Sequence, residues 1–535
     1  MSLDGVQLGI VKNYSDLEQF MSWLGERRSV LAFDTETSGL SPYDRGARIR
    51  LAQFGDANTG WTIPWHLWPG LVQEVIDRYT GKITIHNAAF DLKWMAVCAP
   101  DLVLPWDRVD DTLIMARLLE PHKSAALKRI SDEVIDRKAS IGAKMLHAAM
   151  DENNWTWDTI PLEFEGYTLY GAMDTVLGAR VWDHFQPMLD ADPAVRWSYE
   201  LEMAVRRICT AMEIKGMRVN MDYTHATHAE LVRFVEDSQN WAEREYDLKI
   251  GSTKALSAWI TANGGKITAF TPSGLPQVDA EMLEKLSIED DTPARVKEVV
   301  DIVLKTRHAG KIAGTYLANF DKFAVDGVIH PDINTMAAKT GRMSITNPAL
   351  QTLHRDDTAV RDAFIPHNEN EVLITCDSDQ IEARLFANFS EAPAFQDAFE
   401  VGDIFVNLAR DVYSDPTLEK KDARRATIKS YLYGKLYGAG LGKLALTAGV
   451  PMSVVKVVDD RMNSTYPGMK KFQDKVVNLA YKDGHITTPF GRKLVIGDRE
   501  KSYAAVNYMI QGHAAELLKM SLVNMDNSGL LPYML

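Results

Sequence analysis

Two carboxylates near the start of the chain form the first group of residues whose spacing suits catalysis. Asp34 and Glu36 lie two residues apart at the end of an apolar run, SVLAFDTE (29–36). Alternate side chains of a strand point to the same face, so we expect both carboxylates to face the same way. Such a pair suits a hard divalent ion such as Mg²⁺, which prefers oxygen ligands. Taken alone, the pair is more typical of a strand that ends in a solvated turn.

Two further acids lie in the same part of the chain. Asp91 closes the segment HNAAFD and is predicted to begin a helix, where it could simply interact with the helix N-terminus. Tyr170 and Asp174 are four residues apart on a predicted helix and so share a face, as an exposed polar pair also would. The three groups together favour a metal-dependent catalytic site.

In chain order, the segments DTE, N-x-x-x-D and Y-x-x-x-D resemble the three motifs of the DEDDy class of 3′→5′ exonucleases. The resemblance covers about residues 1–190 and implies a ribonuclease H-like fold. It implies a two-metal hydrolysis in which one ion activates water and the other stabilises the leaving 3′ oxygen. Tyr170 would orient that water. The implied metal ligands are Asp34, Glu36, Asp91 and Asp174.

A stripe of cations and tyrosines marks the segment RRATIKSYLYGKLYG (424–438). Arg425, Lys429, Tyr433 and Tyr437 recur every four residues and would lie along one side of a helix. Cations suit a triphosphate, and an aromatic face suits a base. A basic amphipathic helix with a tyrosine edge has the same pattern.

This segment matches in full the motif R-x-x-x-K-x-x-x-[FY]-G-x-x-Y-G and so resembles motif B of family A DNA polymerases. The resemblance implies that Arg425 and Lys429 contact the incoming triphosphate and that Lys429 protonates the pyrophosphate leaving group. Tyr433 would pack on the nucleotide and allow weak discrimination against dideoxynucleotides. Tyr437 and Gly438 would lie near the templating base.

The segment DSDQIE (377–382) follows EVLITCDS (371–378), which we predict to be a strand, and it resembles motif A of the same family. The resemblance implies that Asp377 binds both polymerase metals and that Glu382 blocks a ribose 2′ oxygen. Asp379 stands where the family has serine. We interpret it as a helix N-cap rather than a further metal ligand.

Two other segments resemble DNA-contacting parts of the family. TGRMSITNPALQ (340–351) implies that Arg342 reaches the minor groove at the primer terminus, with Gln351 as a further DNA contact. Asn507 and Gln511 match a helix N-x-x-x-Q-G-x-A-A-[DE] on the template side.

The family's second catalytic aspartate lies in a V-H-D-E hairpin after such a helix. Here the sequence continues to LLPYML (530–535), predicted to be a strand, and the 535 residues contain no H-D-E after it. We therefore expect either a longer C-terminus or a polymerase site that lacks one metal ligand.

Periodic patterns indicate the elements that must position these residues. The predicted strands are 29–36, 48–54 and 82–87, with helices at 88–97, 110–120 and 165–186. Helical patterns then cover 194–250, 280–323, 379–480 and 501–527, with a polar stretch at 251–279 and a hairpin at 488–496.

The predicted fold class is α/β and multidomain: a ribonuclease H-like exonuclease followed by a right-hand polymerase. No 5′ nuclease domain is expected ahead of the exonuclease, as in phage replicases. The expected domains are the exonuclease at 1–190, thumb at 191–325, palm at 326–390 and 500–535, and fingers at 391–499.

Bulk composition sets limits on the partners and the compartment. The net charge of −14 predicts that DNA is held in a local basic cleft rather than over the whole surface. No apolar run reaches the ~20 residues of a membrane span, and the N-terminus does not resemble a signal peptide. A cytoplasmic protein of a bacterial or phage-infected cell is expected.

The resemblance implies a template-directed DNA polymerase with proofreading, acting in replication. Its implied partners are primer–template DNA, dNTPs and two Mg²⁺ per active site, with Mn²⁺ as a substitute. A monomer is expected, and a processivity or replisome factor is compatible with the sequence. Two alternatives are a nuclease whose polymerase half only grips DNA, and a non-catalytic replication scaffold.

Overall fold

The computed structural model describes residues 3–103, 105–271, 273–353, 357–400 and 402–535. The chain divides into two compact units. The first consists of Met1–Ile214, Ile333–Ser344 and Cys376–Met534. The second consists of Lys215–Asp332, Ile345–Thr375 and Leu535.

The N-terminal part of the first unit is an α/β region. Its strands are β1 (Gln7–Ile10), β2 (Leu31–Thr37), β3 (Ile49–Gly55), β4 (Thr59–Pro64), β5 (Ile83–Ile85) and β6 (Val109–Asp111). Its helices are α1 (Tyr14–Leu24), α2 (Leu71–Arg78), α3 (Ala88–Cys98), α4 (Thr112–Leu119), α5 (Leu127–Val134), α6 (Ile141–Asn153), α7 (Glu165–Ala191) and α8 (Pro193–Lys215).

These six strands form one mixed sheet in the order β1-β4-β3-β2-β5-β6. The three strands predicted from apolar runs are confirmed as β2, β3 and β5. β2 lies in the middle, antiparallel to β3 and parallel to β5. Its central place explains why its sequence is an apolar run. The edge strands β1 and β6 and the strand β4 were not predicted, because short or glycine-containing strands give a weak periodic signal.

Helix α7 lies unusually close to the sheet, and glycines permit that approach. A Cβ atom added at Gly60 of β4 would lie 2.1 Å from the backbone carbonyl oxygen of Ala172. A Cβ added at Gly171 of α7 would lie 2.5 Å from the Gln53 amide nitrogen. Thr62 also donates a hydrogen bond of 2.6 Å to the carbonyl oxygen of Thr168. These close contacts therefore fix the distance between α7 and the sheet.

We predict that Gly60→Ala lowers the free energy of unfolding by about 1–3 kcal/mol, because the added methyl group must displace helix backbone. The expected exonuclease activity should fall with it, since α7 carries two of the candidate catalytic residues. Gly142→Ala is the matched control: the added Cβ meets nothing within 4 Å. Chemical denaturation of both variants measures the difference; equal stabilities would show that α7 is not held in this way.

The second unit is mainly helical. Its elements in chain order are β7 (Met217–Arg218), α9 (Met221–Tyr246), α10 (Thr253–Ala262), α11 (Ala280–Ile288), α12 (Ala294–Lys311), α13 (Ala318–Phe323), β8 (Ala324–Val325), β9 (Val328–Ile329) and α14 (Thr358–Arg361). A single π-helical turn, Ile312–Leu317, joins α12 to α13. Strands β7, β9 and β8 form a small sheet. Strands β10 (Asp332–Asn334) and β11 (Ser344–Thr346) lie where the chain passes between units.

The predicted helices of this region are confirmed, with one omission. Helix α10 lies inside the stretch 251–279 that was predicted to be irregular. Ser252 accepts a hydrogen bond from the Ala255 amide and caps this helix. Leu256 and Ile260, fully buried, anchor it. This helix is short and lies between polar segments, so its helical periodicity is not evident in the sequence.

The C-terminal part of the first unit consists of helices and one hairpin. The elements are α15 (Ile381–Phe389), α16 (Pro393–Asp397), α17 (Ile404–Tyr413), α18 (Ala423–Leu436), α19 (Leu441–Ala448), α20 (Met452–Thr465), α21 (Pro467–Asp483), β12 (His485–Thr487), β13 (Lys493–Val495) and α22 (Ala505–Asn527). The hairpin of β12 and β13 confirms the one predicted at 488–496, and α22 confirms the last predicted helix.

Two predicted strands are wrong. Residues 371–378 have no regular secondary structure. Val372 and Ile374 are 78% and 80% exposed. An apolar run becomes a strand only when a neighbouring strand satisfies its backbone, and none pairs with it in the described chain. The segment LLPYML instead contains a 3₁₀ turn at Leu531–Tyr533, since proline favours the first position of a helical turn.

In the described residues no single helix is long and apolar enough to cross a bilayer. Helices α19 and α20 pass that length and composition test only as a pair, and they are bent by 114° at the break between them.

Candidate active sites

The first candidate site begins at the end of β2. Asp34 and Glu36 both lie on this strand, as predicted. Thr35 between them donates two hydrogen bonds to Asp91 of α3, one from its backbone amide (2.9 Å) and one from its hydroxyl (2.7 Å). Asp91 therefore does not cap α3; its buried carboxylate ties the helix to the strand. The hydrogen bonds therefore bring the acid of α3 to the two acids of β2.

Asp111 holds the beginning of α3 in place. Its buried carboxylate accepts hydrogen bonds from the amides of Asn87 (3.0 Å) and Ala88 (2.9 Å). It also accepts the Leu113 amide (2.8 Å) at the start of α4. One side chain thus joins two helix N-termini and fixes the position from which Asp91 projects. Asp111 was not among the predicted site residues, because a helix-capping aspartate has no distinguishing sequence pattern.

Helix α7 brings Tyr170 and Asp174 to the same site. The ammonium group of Lys128, on α5, contacts the Asp174 carboxylate and lies 4.5 Å from the centre of the Tyr170 ring. The Tyr170 ring also lies near Trp157, with ring centres 6.4 Å apart. The sequence analysis missed Lys128, which has no motif around it and becomes part of the site only through the fold.

The electrostatics of this site are dominated by buried negative charge. Burial, opposed by the attraction of Lys128, raises the pKa of Asp34 to about 7. Burial and then the repulsion of Asp34 hold the pKa of Glu36 and of Asp91 well above the usual range. Burial lowers the pKa of Lys128 to about 8, against the attraction of Asp34 and Glu36. For these acids, burial and mutual repulsion outweigh the attraction of the nearby cations.

This donor set fits divalent metal ions. It offers only carboxylate oxygens, and one lysine leaves most of their charge uncompensated. Over the described ranges no three acid, cysteine or histidine side chains are yet arranged closely enough to hold a metal ion. Lys128 contacts the Asp174 carboxylate in this arrangement.

We predict that Asp34→Asn stabilises the metal-free protein at pH 8. A carboxyl with a raised pKa favours folding only while it is protonated, so its ionisation between pH 4 and about 7 destabilises the folded state. Removing the charge should raise the melting temperature in EDTA by about 1–3 °C at pH 8 and by less at pH 5. Thermal unfolding at both values measures this; equal gains at the two pH values would contradict it.

The second candidate site lies along α18. This helix carries Arg425, Lys429 and Tyr433 of the predicted stripe of cations and tyrosines. Arg425 does not stand free: its Nε and Nη2 donate to Asp403, at 3.1 and 2.6 Å. Asp403 also caps α17 through the amides of Phe405 and Val406. The Phe405 ring lies 5.5 Å from the Arg425 guanidinium, 5.8 Å from the Lys429 ammonium and 5.9 Å from the Tyr433 ring. Phe405 thus packs beside the stripe residues, a contact that the sequence analysis did not predict.

Glu382 contacts two of the other predicted residues. Its carboxylate contacts the Arg342 guanidinium and accepts a hydrogen bond of 3.0 Å from the Tyr437 hydroxyl. Gln511 of α22 hydrogen-bonds the same tyrosine. Burial and then Glu382 raise the Tyr437 pKa. The structure therefore brings Arg342, Glu382, Tyr437 and Gln511 together.

The other predicted polymerase residues are more scattered. Asp377 lies in the exposed stretch before α15, and in the described residues it belongs to no group of three or more acid, cysteine or histidine side chains that could hold a metal ion. Asn507 lies one turn before Gln511 on α22. Gln351 belongs to the second unit, where it accepts the Ile345 amide at 2.8 Å. Gly438 has a φ of 70°, and an added Cβ would lie 2.8 Å from the Tyr503 carbonyl oxygen, so its role includes backbone packing.

The interpretation of Asp379 as a helix cap is wrong. Gln380 occupies the N-cap position of α15, in a left-handed conformation and without a side-chain cap bond. Asp379 lies one residue earlier and contacts Arg384 at 3.4 Å. The left-handed turn at Gln380 directs the Asp379 side chain to that arginine instead of to the helix amides.

Two family profiles match successive parts of the chain. A family profile described as "3'-5' exonuclease" matches residues 8–190, and one described as "DNA polymerase family A" matches residues 219–530. Domains of these two families generally use divalent metal ions.

Named relatives span nearly the whole chain. The chain is 30% identical to the DNA polymerase of Mycobacterium phage L5, covering 99% of this chain and 89% of that protein. It is 28% identical to the DNA polymerase of Mycobacterium phage D29, with the same coverage. Its fold is similar to a solved "POL domain of Pol1 from M. smegmatis complex with DNA primer-template and dNTP", with a TM-score of 0.78, 23% identity and coverage of 97% and 89%.

A nuclease with a merely DNA-gripping second half is not favoured by these matches, because the polymerase profile covers more than half of the chain. The expected ribonuclease H-like exonuclease followed by a polymerase is confirmed as a fold class. The chain belongs to DNA polymerase family A and is a DNA-directed DNA polymerase with a 3′→5′ exonuclease domain.

Proposed function

We propose that the site around β2 is the proofreading centre and that Asp34, Glu36, Asp91 and Asp174 hold two Mg²⁺ ions there, with Mn²⁺ as a substitute. The observation that carries the proposal is the double hydrogen bond from Thr35 to Asp91, which joins the acids of β2 and α3 in one buried cluster. Their raised pKa values reflect charge that cations would stabilise.

The residues of this site have separate tasks. The bound ions would supply a nucleophilic water at neutral pH and stabilise the leaving 3′ oxygen. Tyr170 stays a neutral phenol, since burial and the nearby acids raise its pKa. It can therefore accept from, or donate to, the attacking water without ionising. Asp111 and Thr35 hold α3 in place and so keep Asp91 beside the acids of β2.

In the polymerase half, Arg425 and Lys429 would bind the dNTP triphosphate and Lys429 would protonate the leaving pyrophosphate. Arg425 must then exchange its Asp403 partner for phosphate oxygens. Tyr433 would pack on the base, with Phe405 behind it. Glu382, held by Tyr437, would exclude a ribose 2′ hydroxyl. The described residues do not form a metal site at Asp377, so no metal-dependent step is derived there.

We propose that the exonuclease occupies residues 1–190 and that thumb, palm and fingers follow at 191–325, 326–390 with 500–535, and 391–499. Arg342, Gln351, Tyr437, Gly438, Asn507 and Gln511 would contact primer–template DNA. Because the chain carries a net charge of −14, we expect DNA binding to depend on local cations and to weaken steeply with salt. A monomer in the cytoplasm of a bacterial or phage-infected cell completes the proposal.

A labelled primer–template assay with Mg²⁺ tests this function. With all four dNTPs the primer should lengthen, and without dNTPs it should shorten from its 3′ end. EDTA should abolish both reactions. Shortening that persists in EDTA would contradict a metal-dependent exonuclease, and a primer that never lengthens would contradict the proposed roles of the polymerase half.

A further inference from the structure

Lys128 occupies a position that none of the assigned roles explains. Its ammonium group contacts the Asp174 carboxylate and lies over the Tyr170 ring. Its side chain is only 22% exposed, and that of Asp174 only 9%. Asp34 and Glu36 also act on it electrostatically. A single buried lysine therefore faces three of the four carboxylates proposed to bind metal.

A buried carboxylate cluster needs positive charge from some source. Two divalent ions would supply it in the working enzyme, and Lys128 supplies part of it in the arrangement seen here. Both sources can use the same oxygen, because the buried Asp174 Oδ1 that contacts Lys128 has no hydrogen-bond partner among the described residues. A metal ion that takes this oxygen as a ligand must therefore displace the ammonium group.

We propose that Lys128 is an internal counter-ion that holds the exonuclease carboxylates together before metal binds and competes with the metal for Asp174. This inference rests on the proposed proofreading centre. Lys128 is in this sense a positioning residue: it keeps Asp174 and Tyr170 in place in the metal-free protein. It also limits metal affinity, because an ion that takes the same Asp174 oxygen must displace a like charge.

The test is Mn²⁺ binding followed by electron paramagnetic resonance, together with thermal unfolding in EDTA. All variants carry Asp377→Asn, so that a polymerase-site ion does not contribute. Lys128→Met removes the charge but keeps the length of the side chain, and Lys128→Arg keeps the charge. Lys138→Met removes an exposed charge nearby and serves as the control.

We expect Lys128→Met to bind Mn²⁺ about 10-fold more tightly, as removal of one nearby like charge predicts. The same variant should unfold at a lower temperature in EDTA. Lys128→Arg and Lys138→Met should resemble the parent protein in both measurements. Unchanged or weaker Mn²⁺ binding by Lys128→Met would overturn the inference, and so would unchanged stability in EDTA.

Asp34→Asn, also combined with Asp377→Asn, separates the proposed metal site from the proposed role of Lys128. If it abolishes Mn²⁺ binding while Lys128→Met changes nothing, the metal site stands and only the role of Lys128 is wrong. If Asp34→Asn leaves Mn²⁺ binding intact, the proposed proofreading centre itself is wrong.

Discussion

Replacing Asp34 and Glu36 together by alanine is expected to lower 3′→5′ degradation of single-stranded DNA by about 10³-fold or more. Both carboxylates lie on β2, beside Asp91, in a buried cluster where the attraction of Lys128 and Arg50 does not outweigh burial and the repulsion of neighbouring acids. Without them the proposed metal ions lose half of their protein ligands, and metal ions supply several kcal/mol of transition-state stabilisation. Release of labelled 3′ nucleotides in Mg²⁺, without dNTPs, measures the loss.

The matched control removes two exposed acids from the same unit, with Asp101→Ala and Glu152→Ala combined. It changes the net charge equally and should leave degradation within about twofold, since surface substitutions usually have small effects. Incorporation of dNTPs should also survive in the Asp34 and Glu36 variant. If that variant still degraded DNA at the parental rate, the catalytic carboxylates would have to be sought elsewhere.

The second large effect is expected from Lys429→Ala, which should lower the rate of dNTP incorporation by about 10²-fold, the usual contribution of a general acid. Lys429 is the member of the α18 stripe whose ammonium lies near Phe405, 5.8 Å from the ring centre, whereas Arg425 is already paired with Asp403. Single-nucleotide incorporation under rapid mixing separates this rate from nucleotide affinity.

Two comparisons sharpen that prediction. Lys429→Arg keeps the charge but is a far weaker acid, so it should restore dNTP affinity more than the incorporation rate. Lys443→Ala removes an exposed lysine from the neighbouring helix α19 and should change neither. Exonuclease activity should be normal in all three variants. An unchanged incorporation rate in Lys429→Ala would exclude the lysine as the acid.

The proposed exonuclease site was predictable from sequence to the extent that its residues follow local patterns. Asp34 and Glu36 follow a strongly apolar run, and Tyr170 and Asp174 share a helix face. Each pattern can be recognised in the sequence without knowledge of the rest of the fold. Lys128 and Asp111 were missed for the opposite reason. Their importance comes from where α5 and α4 pack, and a lysine or a capping aspartate looks the same in any helix.

The polymerase half shows where such reasoning fails. The stripe on α18 was found because four-residue spacing is visible in the sequence, but its partners Asp403 and Phe405 lie on another helix. The segment 371–378 has the composition of a strand, yet strand formation depends on a partner strand that composition cannot reveal. Asp379 was assigned to a cap because helix starts favour aspartate, whereas the backbone begins α15 at Gln380.

The most direct test of the account is the fate of a primer with a mismatched 3′ nucleotide, followed with Mg²⁺ and all dNTPs. The parental protein should first remove the mismatch and then extend the primer. The Asp34→Ala, Glu36→Ala variant should leave the mismatched nucleotide in every product, while extending a matched primer normally. Removal of the mismatch by that variant, or failure of the variant on a matched primer, would contradict two separate active sites built from these residues.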